Sequence, residues 1–166
     1  MDLIRSHVMV CGGTGCTSSN SAAVIAEFEK QLLEKGLDKE VKVVRTGCFG
    51  LCEAGPVCIV YPEGSFYAHV TPESVTKIVD EHLIKGRIVK DLLYKGSMEE
   101  DQKTVKSLDK VDFYKKQKRV ALRNCGVIDP ENIDEYIAFD GYKALAKVLT
   151  EMSPEDVIQE MIKSGL

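Results

Sequence analysis

Two close pairs of cysteines are the residues in this sequence best suited to chemistry. Cys11 and Cys16 are separated by four residues in CGGTGC. Cys48 and Cys52 are separated by three residues in GCFGLCEAG. Thiolates held near one another repel unless cations bind between them, and cysteines ligate both zinc and iron–sulfur clusters. The two pairs therefore predict a metal centre.

The spacing of the pairs and the glycines around them favour an iron–sulfur cluster, although these residues alone leave zinc open. The gap from Cys16 to Cys48 is 31 residues, whereas zinc ribbons usually separate their pairs by roughly 12 to 20 residues. Glycines let backbone N–H groups approach cluster sulfurs. Six glycines lie around the pairs: Gly12, Gly13, Gly15, Gly47, Gly50 and Gly55. No histidine stands in a Cys-x-His pattern, which favours all-cysteine ligation of a 2Fe-2S cluster.

A β-α-β unit would bring the two pairs together. Short β-branched runs predict strands at residues 7–11 and 41–45. Apolar residues at helical spacing between them predict a helix: Val24, Ile25, Phe28 and Leu32. Parallel strands joined by a helix end at the same edge of a sheet. Because each cysteine pair follows one of these strands, we expect the four thiols to meet there.

A hairpin and a second helix complete the predicted domain. Residues 57–61 and 65–70 flank a Pro-Glu-Gly turn, which predicts a hairpin. Thr71 and Pro72 have the types expected at an N-cap and a first helical position. The apolar face of that helix is expected to hold Val75, Ile78, Val79 and His82. The order β-α-β-β-β-α predicts an α/β fold with a mixed sheet over residues 1–96.

The rest of the chain has a different character. Residues 97–118 contain eleven charged residues in 22, which predicts a charged linker. Residues 119–166 are predicted to form a small helical segment. Two cap-plus-proline sequences, DPE at 129–131 and SPE at 153–155, predict helix starts, with another helix around residues 142–149.

Composition and charge argue against a disordered protein, a nucleic-acid-binding protein and a membrane protein. The 166 residues are 44% apolar and 29% charged, as expected of a folded protein. A net charge of −4 without a basic stripe disfavours a nucleic-acid partner. No apolar run predicts a membrane span or a secretory leader, so we expect a cytoplasmic protein with no membrane partner. In that compartment Cys58, within a predicted strand, is interpreted as a core residue and Cys125 as a free thiol.

The motifs CGGTGC, GCFGLCEAGP, VCIVYPEG and TPES together resemble the thioredoxin-like 2Fe-2S ferredoxins. The 24 kDa-type subunit of respiratory complex I shares their fold. The resemblance covers nearly all of residues 5–90. It implies one-electron transfer through a 2Fe-2S cluster, and it matches four residues to the cluster ligands: Cys11, Cys16, Cys48 and Cys52.

The segment RVALRNCGVIDPENIDEYIAFDGYKALAKVLTEMSPEDVIQEMIKSGL, residues 119–166, resembles the start of an NADH-binding flavoprotein subunit. Such subunits occur in complex I and in NAD(P)-linked FeFe-hydrogenases. The combination is similar to the β subunit of such a hydrogenase or to an NADH-dependent ferredoxin oxidoreductase. The resemblance implies other hydrogenase or NADH dehydrogenase subunits as partners. It places FMN, NADH and a 4Fe-4S cluster in a longer parent subunit, since the family's flavin loop follows the SGL that ends this sequence.

Two other functions use the same residues. A zinc-stabilised interaction module would hold its metal through the same four cysteines and would be colourless, so iron content distinguishes it. A thiol oxidoreductase on a thioredoxin-like scaffold is disfavoured because the sequence has no C-x-x-C pair. Insulin-disulfide reduction by the iron-free protein would test that second alternative.

Overall fold

A computed structural model describes residues 4–95 and 116–165 of the chain. The predicted charged linker falls almost wholly in residues 96–115, outside the described residues, and stays a prediction. The chain divides into two compact units, Met1–Val127 and Ile128–Leu166. The first unit thus extends past residue 119, where the helical segment was predicted to begin.

The first unit is built on a four-stranded mixed sheet in the order β2-β1-β3-β4. Its strands are β1 (Ser6–Cys11), β2 (Val41–Thr46), β3 (Cys58–Tyr61) and β4 (Ser65–Tyr67). β1 pairs with β2 in parallel, whereas β1 with β3 and β3 with β4 are antiparallel. The prediction of an α/β fold with a mixed sheet is confirmed.

Three helices pack on this sheet. α1 (Thr14–Ser18) and α2 (Ser21–Glu34) connect β1 to β2. α3 (Pro72–Lys77) continues as a π-helical segment, Ile78–Ile84. Short 3-10 turns lie at Cys52–Ala54 and Lys90–Leu92. The crossover from β1 to β2 is therefore helical, as the spacing of apolar residues predicted.

The start of α3 shows why the sequence makes a helix there. The Thr71 side chain accepts a hydrogen bond from the backbone N–H of Ser74, and the Ser74 side chain accepts one from the backbone N–H of Thr71. This reciprocal cap satisfies two donors that have no partner within the helix. Pro72, which has no N–H to satisfy, follows the cap. The predicted cap at Thr71 is confirmed.

The sheet buries side chains on both faces. Val8 and Val10 of β1 belong to the core cluster that includes residues of α2 and the helix after Thr71. Met9 and Cys11 alternate with them and belong to a second cluster on the other face. Cys58 is wholly buried in the first cluster, and burial raises the pKa of its thiol to about 12. The interpretation of Cys58 as a core residue is confirmed.

A buried polar contact connects β4 to the helix behind the sheet. The Tyr67 hydroxyl lies 2.8 Å from Nδ1 of His82 and accepts a hydrogen bond from the backbone N–H of Val89 at 3.1 Å. Burial lowers the pKa of His82, so its neutral ring can accept a hydrogen bond from the tyrosine. One hydroxyl therefore satisfies groups on two separate segments.

Replacing Tyr67 with phenylalanine should lower the free energy of unfolding by roughly 1–3 kcal/mol, because it leaves buried polar groups at His82 and Val89 without a partner. Urea unfolding measures the change. Tyr94→Phe is the control, since the contact described for the Tyr94 side chain is a ring contact with Phe66, which phenylalanine retains. Equal losses in the two variants would contradict this role for the Tyr67 hydroxyl.

The second unit consists of three short helices, α4 (Ile133–Ala138), α5 (Lys143–Glu151) and α6 (Pro154–Ser164). The predicted start at Ser153 is confirmed, since Ser153 and Asp156 form a reciprocal cap. Many apolar side chains of these helices are exposed, including Leu145, Leu149, Ile158 and Ile162.

The predicted helix start at residues 129–131 is wrong. The helix begins at Ile133, where the Asn132 side chain accepts hydrogen bonds from the N–H groups of Asp134 and Glu135. Asp129 instead accepts a hydrogen bond from the N–H of Glu131 within a turn. Aspartate can cap a turn as readily as a helix, so the cap-like sequence did not distinguish the two. Among the described residues of the whole chain, no helix is both long and apolar enough to cross a membrane.

Candidate metal centre

The two cysteine pairs follow neighbouring parallel strands. In the register of β1 and β2, Cys11 stands opposite Thr46. The ladder continues one step further, because the N–H of Gly12 donates to the Thr46 carbonyl at 2.9 Å. Cys48 lies two residues beyond the end of β2. The β-α-β unit thus delivers the two cysteine loops to one edge of the sheet, as predicted.

Glycines allow these two loops to touch. A Cβ added at Gly13 would lie 2.8 Å from Cβ of Cys48 and 3.1 Å from its Sγ. A Cβ added at Gly15 would lie 3.1 Å from Cβ and 3.2 Å from Sγ of Cys52. Normal carbon contacts are about 3.5–4.0 Å. A side chain at either glycine would therefore push the first loop away from the second pair of thiols.

A third glycine makes the same kind of contact from the opposite loop. A Cβ at Gly55 would lie 2.9 Å from Sγ of Cys16 and 3.2 Å from the Cys52 carbonyl oxygen. Glycines from both loops thus approach cysteines of the other loop. Close backbone approach to thiolates is what a cluster held between two loops requires.

The four thiols lie as two adjacent pairs. Cys16 is hydrogen-bonded to Cys11, and Cys52 to Cys48. Cys52 also interacts electrostatically with the buried pair. Within residues 4–95 and 116–165, no group of three or more histidine, cysteine or acidic side chains is placed to hold a single metal ion. The structure brings the predicted ligands together as neighbouring pairs, and their role as ligands stays a prediction.

The surroundings of Cys16 and Cys52 disfavour the negative charge of these two thiols when no metal is bound. Burial, followed by the hydrogen bond that the Cys16 thiol donates to Cys11, raises the pKa of Cys16 to about 11, while a hydrogen bond from the backbone of Val57 acts in the opposite direction. The hydrogen bond and the charge of Cys48 raise the pKa of Cys52. Four thiolates at this place need bound cations to replace the protons they lose.

The two pairs differ in exposure. Cys11 and Cys16 are each 1% exposed, whereas Cys48 and Cys52 are exposed. The N–H of Gly50 donates to Sγ of Cys48 at 3.3 Å. A donor set of four thiols, backbone N–H groups directed at sulfur and loops spaced by glycine fits an iron–sulfur cluster. The site is covered on one side and open to solvent on the other.

A further thiol, Cys125, lies beside the open side. Its Sγ is 3.9 Å from the carbonyl oxygen of Cys48, and a Cβ added at Gly47 would lie 3.0 Å from that Sγ. The next residue, Gly126, donates its N–H to Oγ1 of Thr46 at 3.1 Å. Sequence reasoning did not place Cys125 near the pairs, because it lies 77 positions after Cys48 in the chain and nothing in its spacing relates the two.

Comparison with known proteins assigns the chain to a family. Residues 3–83 match the thioredoxin-like [2Fe-2S] ferredoxins. The chain is also 38% identical over 96 residues to a 2Fe-2S ferredoxin of Clostridium pasteurianum, a match that covers 53% of this chain and 94% of that protein. This chain belongs to the thioredoxin-like [2Fe-2S] ferredoxin family.

A solved family member agrees with the observed fold. The thioredoxin-like [2Fe-2S] ferredoxin of Aquifex aeolicus superposes with a TM-score of 0.50 and 34% sequence identity, covering 54% of this chain and 89% of that one. Membership of this family supports electron transfer through a 2Fe-2S cluster as the function. It does not favour the alternative of a zinc-stabilised interaction module.

A second kind of relative is a hydrogenase subunit. The chain is 62% identical over 52 residues to the NADP-reducing hydrogenase subunit HndC of Solidesulfovibrio fructosivorans. That match covers 31% of this chain but 10% of the subunit. The similarity is therefore high but restricted to a short part of the larger protein.

Proposed function

We propose that this ferredoxin binds its [2Fe-2S] cluster through four cysteines and passes single electrons between redox partners. The proposed ligands are Cys11, Cys16, Cys48 and Cys52. The observation that carries the proposal is the contact between the two glycine-spaced loops, which makes these four thiols neighbours. When bound, the cluster supplies a centre that accepts and donates one electron at a time.

The protein around the thiols has two tasks. The buried pair, Cys11 and Cys16, excludes water from one side of the site. Backbone N–H groups of Gly50 and Val57 donate to the sulfurs of Cys48 and Cys16. Such hydrogen bonds favour the more negative, reduced state and so raise the reduction potential. The chain thereby tunes the potential through its backbone.

The exposed pair marks the side where a redox partner would dock. Cys48 and Cys52 are solvent-exposed, whereas the other pair is covered. Electrons would enter and leave through this open side.

We further propose that this domain is the N-terminal relay of an NAD(P)-linked flavoprotein subunit in a hydrogenase or NADH dehydrogenase complex. The 62% identity to the HndC subunit supports this assignment. FMN, the NADH site and a 4Fe-4S cluster would belong to the longer parent subunit. The exposed apolar side chains of α4 to α6 are consistent with contacts to another part of such an assembly. The proposed setting is the cytoplasm.

A potentiometric titration of the purified protein tests the electron-transfer proposal. The visible absorption should bleach reversibly and fit a one-electron curve, because a single cluster takes up one electron. A reversible two-electron transition without iron would instead show thiol–disulfide chemistry. An unchanged spectrum over the whole range of potentials would also contradict the proposal.

A further inference from the structure

The side chain of Arg45 lies along the loop of the buried cysteine pair. Arg45 stands opposite Val10 in the β1–β2 register, one step before the Cys11–Thr46 pair. Its Nη2 donates to the carbonyl oxygen of Gly12 at 3.5 Å. Gly12 follows Cys11 directly in the chain. The positive charge of Arg45 is therefore held near the start of the Cys11–Cys16 loop.

Gly12 provides the space that this arrangement needs. A Cβ added at Gly12 would lie 2.5 Å from Nε and 2.8 Å from Cγ of Arg45. Any larger residue at position 12 would displace the arginine. The aliphatic stem of Arg45 thus packs against the loop backbone. An exposed arginine that extends into solvent keeps more rotamer entropy, so this packing restricts the side chain.

Within residues 4–95 and 116–165 no carboxylate forms an ion pair with Arg45, whereas Arg5 and Arg87 form ion pairs with Glu40 and Glu81. An unneutralised charge acts on its surroundings over a distance of about 10 Å at ordinary salt concentrations. Arg45 lies beside the proposed cluster site, because Gly12, which it contacts, directly follows the proposed ligand Cys11.

We propose that Arg45 raises the reduction potential of the cluster through its positive charge beside the Cys11–Cys16 loop. This inference rests on the proposed ligand set. Four thiolates outweigh the positive charge of the iron–sulfide core, so the centre is anionic and becomes more negative on reduction. Reduction takes one electron from a one-electron donor, which is oxidised, and it requires no proton and no change of bonding at Arg45. A nearby cation stabilises the more negative state more strongly.

The test compares three variants loaded with the cluster. Arg45→Gln removes the charge, Arg45→Lys retains it, and Lys39→Gln removes one charge near the other end of β2. Lys39 lies in the turn before β2, and the four strand steps from Val41 to Arg45 alone span about 13 Å. Potentiometric titration with dithionite as the reductant should show a more negative potential for Arg45→Gln. Arg45→Lys should keep most of the wild-type potential, and Lys39→Gln should keep all of it.

Ionic strength adds a second readout. The difference between wild type and Arg45→Gln should shrink as salt rises, because mobile ions screen an exposed charge. Equal potentials for wild type and Arg45→Gln would overturn the proposal, as would an equal shift in Arg45→Gln and Arg45→Lys. A slower reaction with a protein partner at an unchanged potential would assign Arg45 to docking and would also overturn it.

The iron content of the wild type shows whether a negative result concerns Arg45 alone or the proposed cluster. If wild type holds iron and titrates reversibly while Arg45→Gln has the same potential, only the role of Arg45 fails. If wild type holds no iron–sulfur cluster, the proposed function fails and the role of Arg45 fails with it. Iron content measured beside each titration distinguishes the two cases.

Discussion

Replacing Cys16 with alanine should abolish stable cluster binding. The iron content should fall from about two atoms per chain to near zero, because the cluster would lose a buried thiolate that water cannot replace behind Gly55. Cys58→Ala is the matched control. Both cysteines are almost wholly buried in the same domain, but Cys58 lies in the core cluster on the other face of the sheet. Iron analysis and the visible spectrum measure both effects.

Two further outcomes decide the ligand set. Cys58→Ala should retain the wild-type spectrum even if the small cavity lowers its stability. Cys125→Ala should also retain it, although Cys125 lies next to Cys48, because we place Cys125 outside the ligand set. A cluster that survives in Cys16→Ala but is lost in Cys125→Ala would show that the ligands are assigned incorrectly.

Replacing Gly13 with alanine should have the second largest effect. The backbone at Gly13 has φ −66° and ψ 158°, which any residue adopts, so the backbone itself is not strained. The new methyl would lie 2.8 Å from Cβ of Cys48 and would force the two loops apart by roughly 1 Å. Crowding of this kind costs roughly 1–3 kcal/mol. We expect a large loss of cluster occupancy, measured as iron per chain and as visible absorption.

Gly36→Ala provides the contrast for this variant. Gly36 has φ +67° and nothing within 4 Å of an added Cβ, so alanine there strains the backbone without touching the thiols. It should cost about 1–2 kcal/mol of unfolding free energy and leave the cluster unchanged. Similar cluster losses in the two variants would mean that general destabilisation, and not loop contact, explains the effect of Gly13→Ala.

Local sequence patterns were sufficient to predict most of the first unit. Short β-branched runs predicted β1 and β2, and apolar residues at helical spacing predicted the crossover between them. The parallel pairing then placed both cysteine loops at one edge. Thr71 and Ser153 were recognisable as caps because the capping interaction occurs within four residues. Neighbouring residues contain enough information wherever the stabilising contact is local.

Contacts between distant segments could not be predicted in the same way. The glycines in CGGTGC indicated close backbone approach, but not that Gly13 lies against Cys48 and Gly15 against Cys52. The position of Cys125 beside the second loop depends on how residues 116–127 pack, and no periodicity encodes that. Local patterns can also mislead, because the cap-like sequence at Asp129 forms a turn and not the start of a helix.

The two cysteine pairs differ in solvent exposure, and this difference bears on function. The sequence indicated a redox site from cysteine type and spacing, but the difference between a covered pair and an open pair appears only in the folded structure. That difference gives the proposed direction of access for a redox partner. Arg45 belongs to no sequence motif, and only its position on β2 next to Gly12 connects it to the site.

The most direct test of the account is a metal and sulfide analysis of anaerobically purified protein, combined with its visible spectrum before and after dithionite. We predict about two irons and about two acid-labile sulfides per chain, with a red-brown absorption that partly bleaches on reduction. A colourless protein containing about one zinc per chain and no labile sulfide would contradict the proposed cluster and its role in electron transfer.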